Sequence, residues 1–428
     1  MSTAALTENR TGDWTGEEAL AHFQPVFDRI RAGALEREAR QQLPHEQIGW
    51  LREAGFGRLR LPVDDGGYGV SVQTLALLLI RLGSADSNLV QALRGHIGFT
   101  ESVLAHPDDA YRKFWIAELA AGALVGNAES ERTGSFAEQA TTVSRDGNGR
   151  LVLNGTKYYS TGSIFADWIL VSAAAGPGVL EKPGASGPEH GGRCRQSAGT
   201  AAPLVTVMVR TGAPGVQVRN DWDGFGQRLT GSGTTVFNDA EVEAGSVVER
   251  SQEPTAVHAV YQLVHLAALA GIATAALRES ADFVRSRQRN LFNPQVPPAE
   301  DPVALQVIGE VFGTVRMLEP AVLAAAQSVD EAYAAAPGEV RDTLARADAC
   351  VFGVQPTVIK LVLEAVSRIF EVGGASATST SRQLDRLWRN ARTIASHNPA
   401  TYRQQFAGGY VLNGTPPGDA LLRLLTDG

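Results

Sequence analysis

The apolar period changes twice along this 428-residue chain, and that order constrains the fold more than any single motif. Over residues 15–120 apolar side chains recur at three- and four-residue spacing, as in Leu75, Leu78, Leu79 and Leu82. That is the spacing of a helix with one buried face. Thr15 and Glu18 stand at capping-box distance, so a helix is expected to start there. Residues 62–69, with three glycines and a proline, break the helices. Near Leu124 the pattern changes. Residues 151–159 read as strand, Asn-Gly turn, strand, and further strands are expected at 169–171, 204–209 and 234–237. Over residues 255–394 the helical period returns, with long Ala- and Leu-rich faces at 265–284 and 344–369 that suit a bundle. The expected class is α+β: an N-terminal helical domain at 1–121, a central β-barrel-like domain at 122–245 and a C-terminal helical bundle at 246–428. Residues 175–203, rich in Gly, Pro, Ala and Ser, are expected to form a long loop carrying Cys194.

The chain is too long for one hydrophobic core, so two or three packed units are expected. Its net charge of −8 argues against a nucleic-acid or anionic-membrane partner. Two cysteines exclude a disulfide framework and fit a reducing cytoplasm. No signal peptide is visible, and no run approaches about 18 consecutive apolar residues, so no membrane span is expected. The eight histidines are scattered, and no metal-ligand spacing occurs. No Gly-x-Gly-x-x-Gly stands between a strand and a helix, so a nicotinamide site is not expected and reducing power must come from elsewhere. The Gly-rich residues 230–233 sit among strands and are not a phosphate loop.

Several motifs share an order with a known family. Glu53-Ala54-Gly55-Phe56, Leu61-Pro62 and Gly66-Gly67-Tyr68-Gly69 come first. Residues 154–162, 283–287 and Phe370-Glu371-Val372-Gly373-Gly374-Ala375 follow, then Leu387-Trp388-Arg389-Asn390-Ala391-Arg392. Together they resemble the acyl-CoA dehydrogenase superfamily over nearly the whole chain. The dehydrogenases of that family commonly place a catalytic glutamate after the C-terminal arginine motif. Here the place reads Ser396-His397-Asn398-Pro399, and no carboxylate side chain lies between Asp385 and Asp419. The stretch instead resembles the reduced-flavin monooxygenases on this fold, of the dibenzothiophene monooxygenase type. Residues 126–131 and 222–233 resemble the same branch.

The resemblance implies a two-component enzyme. Reduced FMN, with FAD the other flavin open, is supplied by a separate reductase and activates oxygen as a flavin C4a-hydroperoxide. One oxygen atom then passes to an apolar or aromatic substrate by S-oxidation, N-oxidation or hydroxylation. A cytoplasmic homotetramer is implied as well. The alternative is an acyl-CoA dehydrogenase with FAD and a relocated base.

Five residues are candidates for the chemistry. His397 titrates in the range needed to supply a proton; the other reading is a turn histidine before Asn-Pro. His96 shares a helix face with Thr100 at i, i+4 and, by resemblance, lies near the flavin edge. Asn127 sits where the β-domain begins and offers an amide to the flavin pyrimidine. Ser160 and Thr161 end the flavin-facing strand, and the sequence does not choose between their hydroxyls. For flavin binding the candidates are Asn127, Ser160 and Thr161, with Trp222 as a stacking aromatic. Arg287 and Arg389 are candidates for its phosphate, and Gly373 and Gly374 would let backbone approach it. Core packing and solvated helix faces are the ordinary fates of such aromatics and arginines. The substrate pocket is expected around residues 90–105, 222–230, 258–265 and 291–298, where charges are sparse.

Overall fold

A computed structural model of the chain describes residues 13–133, 139–180, 202–243, 245–249, 255–290, 293–397 and 399–426. The helical N- and C-terminal parts flank a central mixed sheet in sequence. By contact, the chain divides into two compact units. One comprises Met1–Ala123, Asp223–Thr230 and Pro254–Leu422; the other comprises Leu124–Trp222, Gly231–Glu253 and Arg423–Gly428.

The helical unit begins with α1 (Gly16–Ala32), α2 (Ala34–Arg40) and α3 (His45–Glu53), followed by α4 (Val72–Ala92), α5 (Arg94–Leu104) and α6 (Asp109–Ala120). The capping box forms as expected: Thr15 N–H donates to the Glu18 carboxylate at 2.9 Å, and Glu18 N–H donates to the Thr15 hydroxyl at 3.3 Å. The later helices are α7 (Val257–Ser286), α8 (Pro302–Tyr333), α9 (Val340–Arg368), α10 (Leu384–Ala395), α11 (Ala400–Asn413) and α12 (Pro417–Thr426). α7 packs against α4, α8, α9 and α10. Its middle is buried on nearly every side and built from small apolar residues. Small side chains let neighbouring helices come close. A Cβ on Gly271 would lie 2.6 Å from the Gly83 backbone of α4, so this crossing admits no side chain. By length and composition alone Val257–Ser286 and Val340–Val372 could cross a membrane, but 83% of the apolar window of the first is buried within the protein, as in a core helix.

α4 is interrupted at Asp86, whose φ of −160° and ψ of 107° are extended. The buried Asp86 carboxylate accepts from Arg37 at 3.0 Å and from the Asn88 backbone and side-chain N–H groups. The interruption turns Ser87 and Asn88 toward residues 223–230. Leu229 N–H donates to Asn88 Oδ1, and Gln227 donates to Ser87 Oγ and, from its backbone, to Asn390 Oδ1 of α10. Eight residues that lie between strands in sequence are thereby fixed to the helical unit.

The second unit is a mixed sheet of β1 (Val125–Ala128), β2 (Thr142–Arg145), β3 (Leu151–Lys157), β4 (Trp168–Ala175), β5 (Leu204–Arg210), β6 (Val216–Val218), β7 (Thr235–Glu241) and β8 (Val247–Glu249). The order is β6-β7-β3-β2-β4-β5-β8, with β1 parallel to β4. Alternate residues Val143, Leu153, Ile169, Val171, Val205, Val207 and Phe237 form its core. One expectation is corrected. Residues 151–157 are a single strand, not a hairpin, and Asn154-Gly155 is a bulge where pairing with β7 slips. Gly155 has a φ of 148°, and a Cβ there would lie 2.4 Å from Thr141 Oγ1. Close packing beside a bulge thus uses the same dipeptide that favours tight turns elsewhere. Residues 181–201 of the expected loop, Cys194 among them, lie outside the described residues.

Lys157, at the end of β3, has no exposed surface. Its ammonium donates to Glu131 Oε1 at 2.9 Å, to the Glu129 carbonyl at 3.2 Å and to Gln139. Glu131 also accepts from the Ala140 and Thr141 N–H groups at 2.9 Å. Burial alone would raise the Glu131 pKa, but Lys157 and these N–H groups win and hold it down to about 2. Glu131→Gln leaves a buried ammonium without its counter-charge. It is expected to lower stability at pH 7 by roughly 3 kcal/mol, measured by urea unfolding. Because the folded pKa is depressed, this contribution is present above pH 4.5 and disappears as pH falls toward 2. The variant should therefore converge with wild type in acid.

Candidate active site

In the sheet unit, Asn127 on β1 and the 158–163 turn after β3 stand together. Asn127 N–H donates to the Thr161 carbonyl at 3.4 Å, and the Asn127 carbonyl accepts from Ser163 Oγ at 3.2 Å. The turn departs from the strand at Tyr159, whose φ of 60° is left-handed. Such a conformation in a non-glycine residue is strained and is kept only where surrounding bonds fix it. Here Tyr158 N–H donates to the Ser130 carbonyl at 2.9 Å and Ser160 N–H to the Gly233 carbonyl at 3.1 Å. The strain leaves the Tyr159 ring half exposed, edge-on to Trp222 at 5.8 Å between ring centres.

The two hydroxyls the sequence left open differ. Thr161 Oγ1 lies 2.7 Å from Ser232 Oγ, so it is engaged. Ser160 Oγ is fully buried and has no hydrogen-bond partner among the described residues, and the same holds for Asn127 Oδ1. A buried polar atom left unpaired costs on the order of 1–3 kcal/mol. Thr141, Ser172, Thr211 and Thr235 of the same unit also have buried, unpartnered hydroxyls, and what sets Asn127 and Ser160 apart is that the 158–163 turn and β1 bring their backbones together.

In the helical unit the remaining candidates fall into separate groups. His96 is buried on α5 with Nε2 2.8 Å from the Gly57 carbonyl. Thr100 turns its hydroxyl back onto the His96 carbonyl at 2.9 Å. Arg287, at the end of α7, donates to the Val372 carbonyl at 2.7 Å, beside Gly373 and Gly374. Gly373 leaves no room for a side chain against the Phe283 ring, while Gly374 is exposed with a φ of 51°. Arg389 is bonded to Asp385 at 2.8 Å, Glu38 at 3.2 Å and the Phe225 carbonyl at 2.9 Å. It therefore ties α10 to α2 and to residues 223–230.

His397 follows α10, and its ring centre lies 4.5 Å from that of His265 on α7. Sequence reasoning missed His265, which is far from His397 along the chain and sits in an apolar helix with no local mark. Burial, with Arg94, His397 and Arg403 as like charges, pushes the His265 pKa well below its ordinary value, so this imidazole stays neutral. Asp348 of α9 is close to one of these charges, Arg403. Burial raises its pKa to about 7, with Arg403 opposing and Asp419 adding.

The Asp348 shift has a stability consequence. A carboxyl that holds its proton more tightly when folded stabilises the fold at low pH, and that contribution is lost as pH rises from about 4 to about 7. Relative to Asp348→Asn, wild type should lose on the order of 3 kcal/mol across this window, followed as the difference in unfolding free energy between pH 4 and pH 8. A constant difference would contradict it.

Residues 24–123 match the family model described as acyl-CoA dehydrogenase, N-terminal domain, and residues 263–401 match acyl-CoA dehydrogenase, C-terminal domain, together more than half of the chain. A dibenzothiophene monooxygenase of Mycolicibacterium goodii is 27% identical over 92% of this chain and 91% of its own length. A probable FMNH2-dependent monooxygenase, SfnC, of Pseudomonas putida is 26% identical over 93% and 96%. The FMN-bound structure of TdsC from Paenibacillus sp. A11-2 superposes with a TM-score of 0.80 at 25% identity, covering 94% of this chain and 98% of that one. The chain belongs to the acyl-CoA dehydrogenase superfamily, and within it is similar to the dibenzothiophene monooxygenase type.

Proposed function

We propose that this protein is a flavin-dependent monooxygenase that takes up reduced FMN from a separate reductase and oxygenates a small organic substrate. Reduced FMN, when bound, supplies the two electrons that let dioxygen give one atom to the substrate and one to water. The observation that carries the reading is the pair of buried, unpartnered atoms Asn127 Oδ1 and Ser160 Oγ. Both suit a flavin, whose ring system presents donors and acceptors at its edge. Thr161, held by Ser232, positions the Asn127 backbone through its carbonyl. Trp222 and Tyr159 offer aromatic surface next to the same turn. Arg287 with Gly373 and Gly374 is the group we assign to the flavin phosphate. Arg389 keeps its existing bonds and acts as a positioning residue. His96 and His397 are the side chains we assign to holding or delivering protons. The similarity to an FMN-bound structure and to an FMNH2-dependent relative supports FMN over FAD. Exposed Phe312, Met317, Val411 and Leu412 support association of several copies, and we take the tetramer as the working form.

One observation favours a second reading, the dehydrogenase with a relocated base. Among the described residues four carboxylates are buried in the helical unit, and Glu38, Asp86 and Glu101 are committed to arginines. Asp348 is not, and its raised pKa suits a general base. That enzyme would purify yellow, with FAD that an acyl-CoA bleaches.

The two readings separate in one experiment. The purified protein is mixed with reduced FMN without oxygen and then aerated, while flavin absorbance and released hydrogen peroxide are followed. Reoxidation should be slower than that of free reduced FMN, and Asn127→Ala or Ser160→Ala should lose about tenfold of that protection. Reoxidation at the rate of free flavin would overturn the monooxygenase reading.

A further inference from the structure

We propose that Arg403 and His265, with Arg94 and His397 beside them, seat the anionic head of a small organic acid. The acid would carry a carboxylate or sulfinate on an apolar or aromatic body.

Arg403 of α11 is 7% exposed, yet its Nε and Nη1 have no hydrogen-bond partner among the described residues. His265 is 1% exposed, and its Nε2 is likewise unpartnered. A guanidinium cannot shed its proton to escape burial, so its unpaired N–H groups carry a full desolvation cost. The faces of Phe352 at 4.5 Å and Phe406 at 5.9 Å lessen that cost but do not accept those hydrogen bonds in the plane of the guanidinium. Arg94 adds a second cation. It donates to the Tyr261 carbonyl at 3.2 Å and lies over the Tyr261 ring at 4.5 Å. Burial lowers the Arg403 pKa, with Asp348 opposing and Arg94 lowering it further.

The charged and titratable groups near Arg403 are Arg94 on α5, His265 on α7 and Asp348 on α9; His397 after α10 lies beside His265, and Asp419 on α12 beside Asp348. Asp348 is the natural counter-ion, but no hydrogen bond joins it to Arg403, and its Oδ1 is itself unpartnered. Like charges gathered in a buried place, with donors unspent, are stabilised by an anion from outside. A planar oxyanion fits the fork of Arg403 and can take a further bond from His265. Tyr261 and Phe406, each partly exposed, supply apolar surface for its body. The sparse charge in the expected pocket segments pointed to an uncharged substrate, but Arg403 comes from a helix outside those segments.

Naming this acid the substrate rests on the monooxygenase reading. The binding test needs neither flavin nor oxygen, so the two can fail separately. The flavin-free protein is titrated calorimetrically with methanesulfinate and benzoate, and with dimethyl sulfone and benzamide as neutral counterparts, at pH 6.5 and pH 8. The anions should bind at least about tenfold more tightly than the neutral compounds, and more tightly at pH 6.5, where more of Asp348 holds its proton. Arg403→Gln should lose about tenfold or more, and Arg403→Lys should recover only part. Asp348→Asn should bind the anions more tightly and flatten the pH dependence. Equal binding of neutral compounds, displacement by chloride at matching concentration, or unchanged binding in folded Arg403→Gln would overturn the proposal. Should Arg403→Gln fail to fold, wild-type affinity and pH profile in Asp348→Asn would overturn it.

Discussion

The candidate flavin site depends on a lysine with no exposed surface. Lys157 ends β3 and bonds at once to Glu131, to the Glu129 carbonyl and to Gln139. It therefore clamps the chain leaving β1 to the chain leaving β3. Asn127 lies just before the first clamp point and Ser160 just after the second. A charge taken wholly out of water tolerates little displacement of its partners, because each lost bond exposes it to the full desolvation penalty. That intolerance makes Lys157 a precise spacer. It also explains why Tyr159 can be held left-handed: the strand before it cannot slide to relieve the turn.

The helical unit solves its packing by a different means. α7 is nearly featureless, a run of alanines and leucines with Gly271 against Gly83. Such a helix can lie at the centre of a bundle with neighbours on every side. Polar side chains are then confined to a few places, and each has a purpose. Asp86 breaks α4 so that Ser87 and Asn88 capture residues 223–230. Arg389 holds the same residues from α10. His265 is different, a polar group inside the apolar run with one nitrogen unspent. With Arg403 it forms one of the places where this unit departs from optimal packing, and departures of that kind collect at sites of function.

Much of this was legible in the sequence, because the two periods of the apolar pattern report directly on burial. The capping box at Thr15, the strands at 169–171 and 204–209 and the long helices around 265–284 and 344–369 all follow from local chemistry. Asn154-Gly155 misled because the dipeptide favours turns and bulges alike, and only the contact with Thr141 decides between them. Ser160 and Thr161 could not be told apart, since the hydrogen bond that distinguishes them comes from Ser232 on another segment. The His265–His397 pair and the Arg403 cluster were out of reach for the same reason. Their members come from α5, α7, α9 and α11, and nothing near each in sequence shows the others. His397 itself was found only because a family resemblance made its position unusual.

The central claim is that Asn127 and Ser160 are unpaired because a flavin completes them. A crystal structure of the protein with FMN bound tests this most directly. The account predicts that Asn127 and Ser160 side-chain atoms lie within about 2.7–3.2 Å of flavin ring atoms. FMN bound elsewhere, with both side chains still unpaired or bonded only to water, would contradict it.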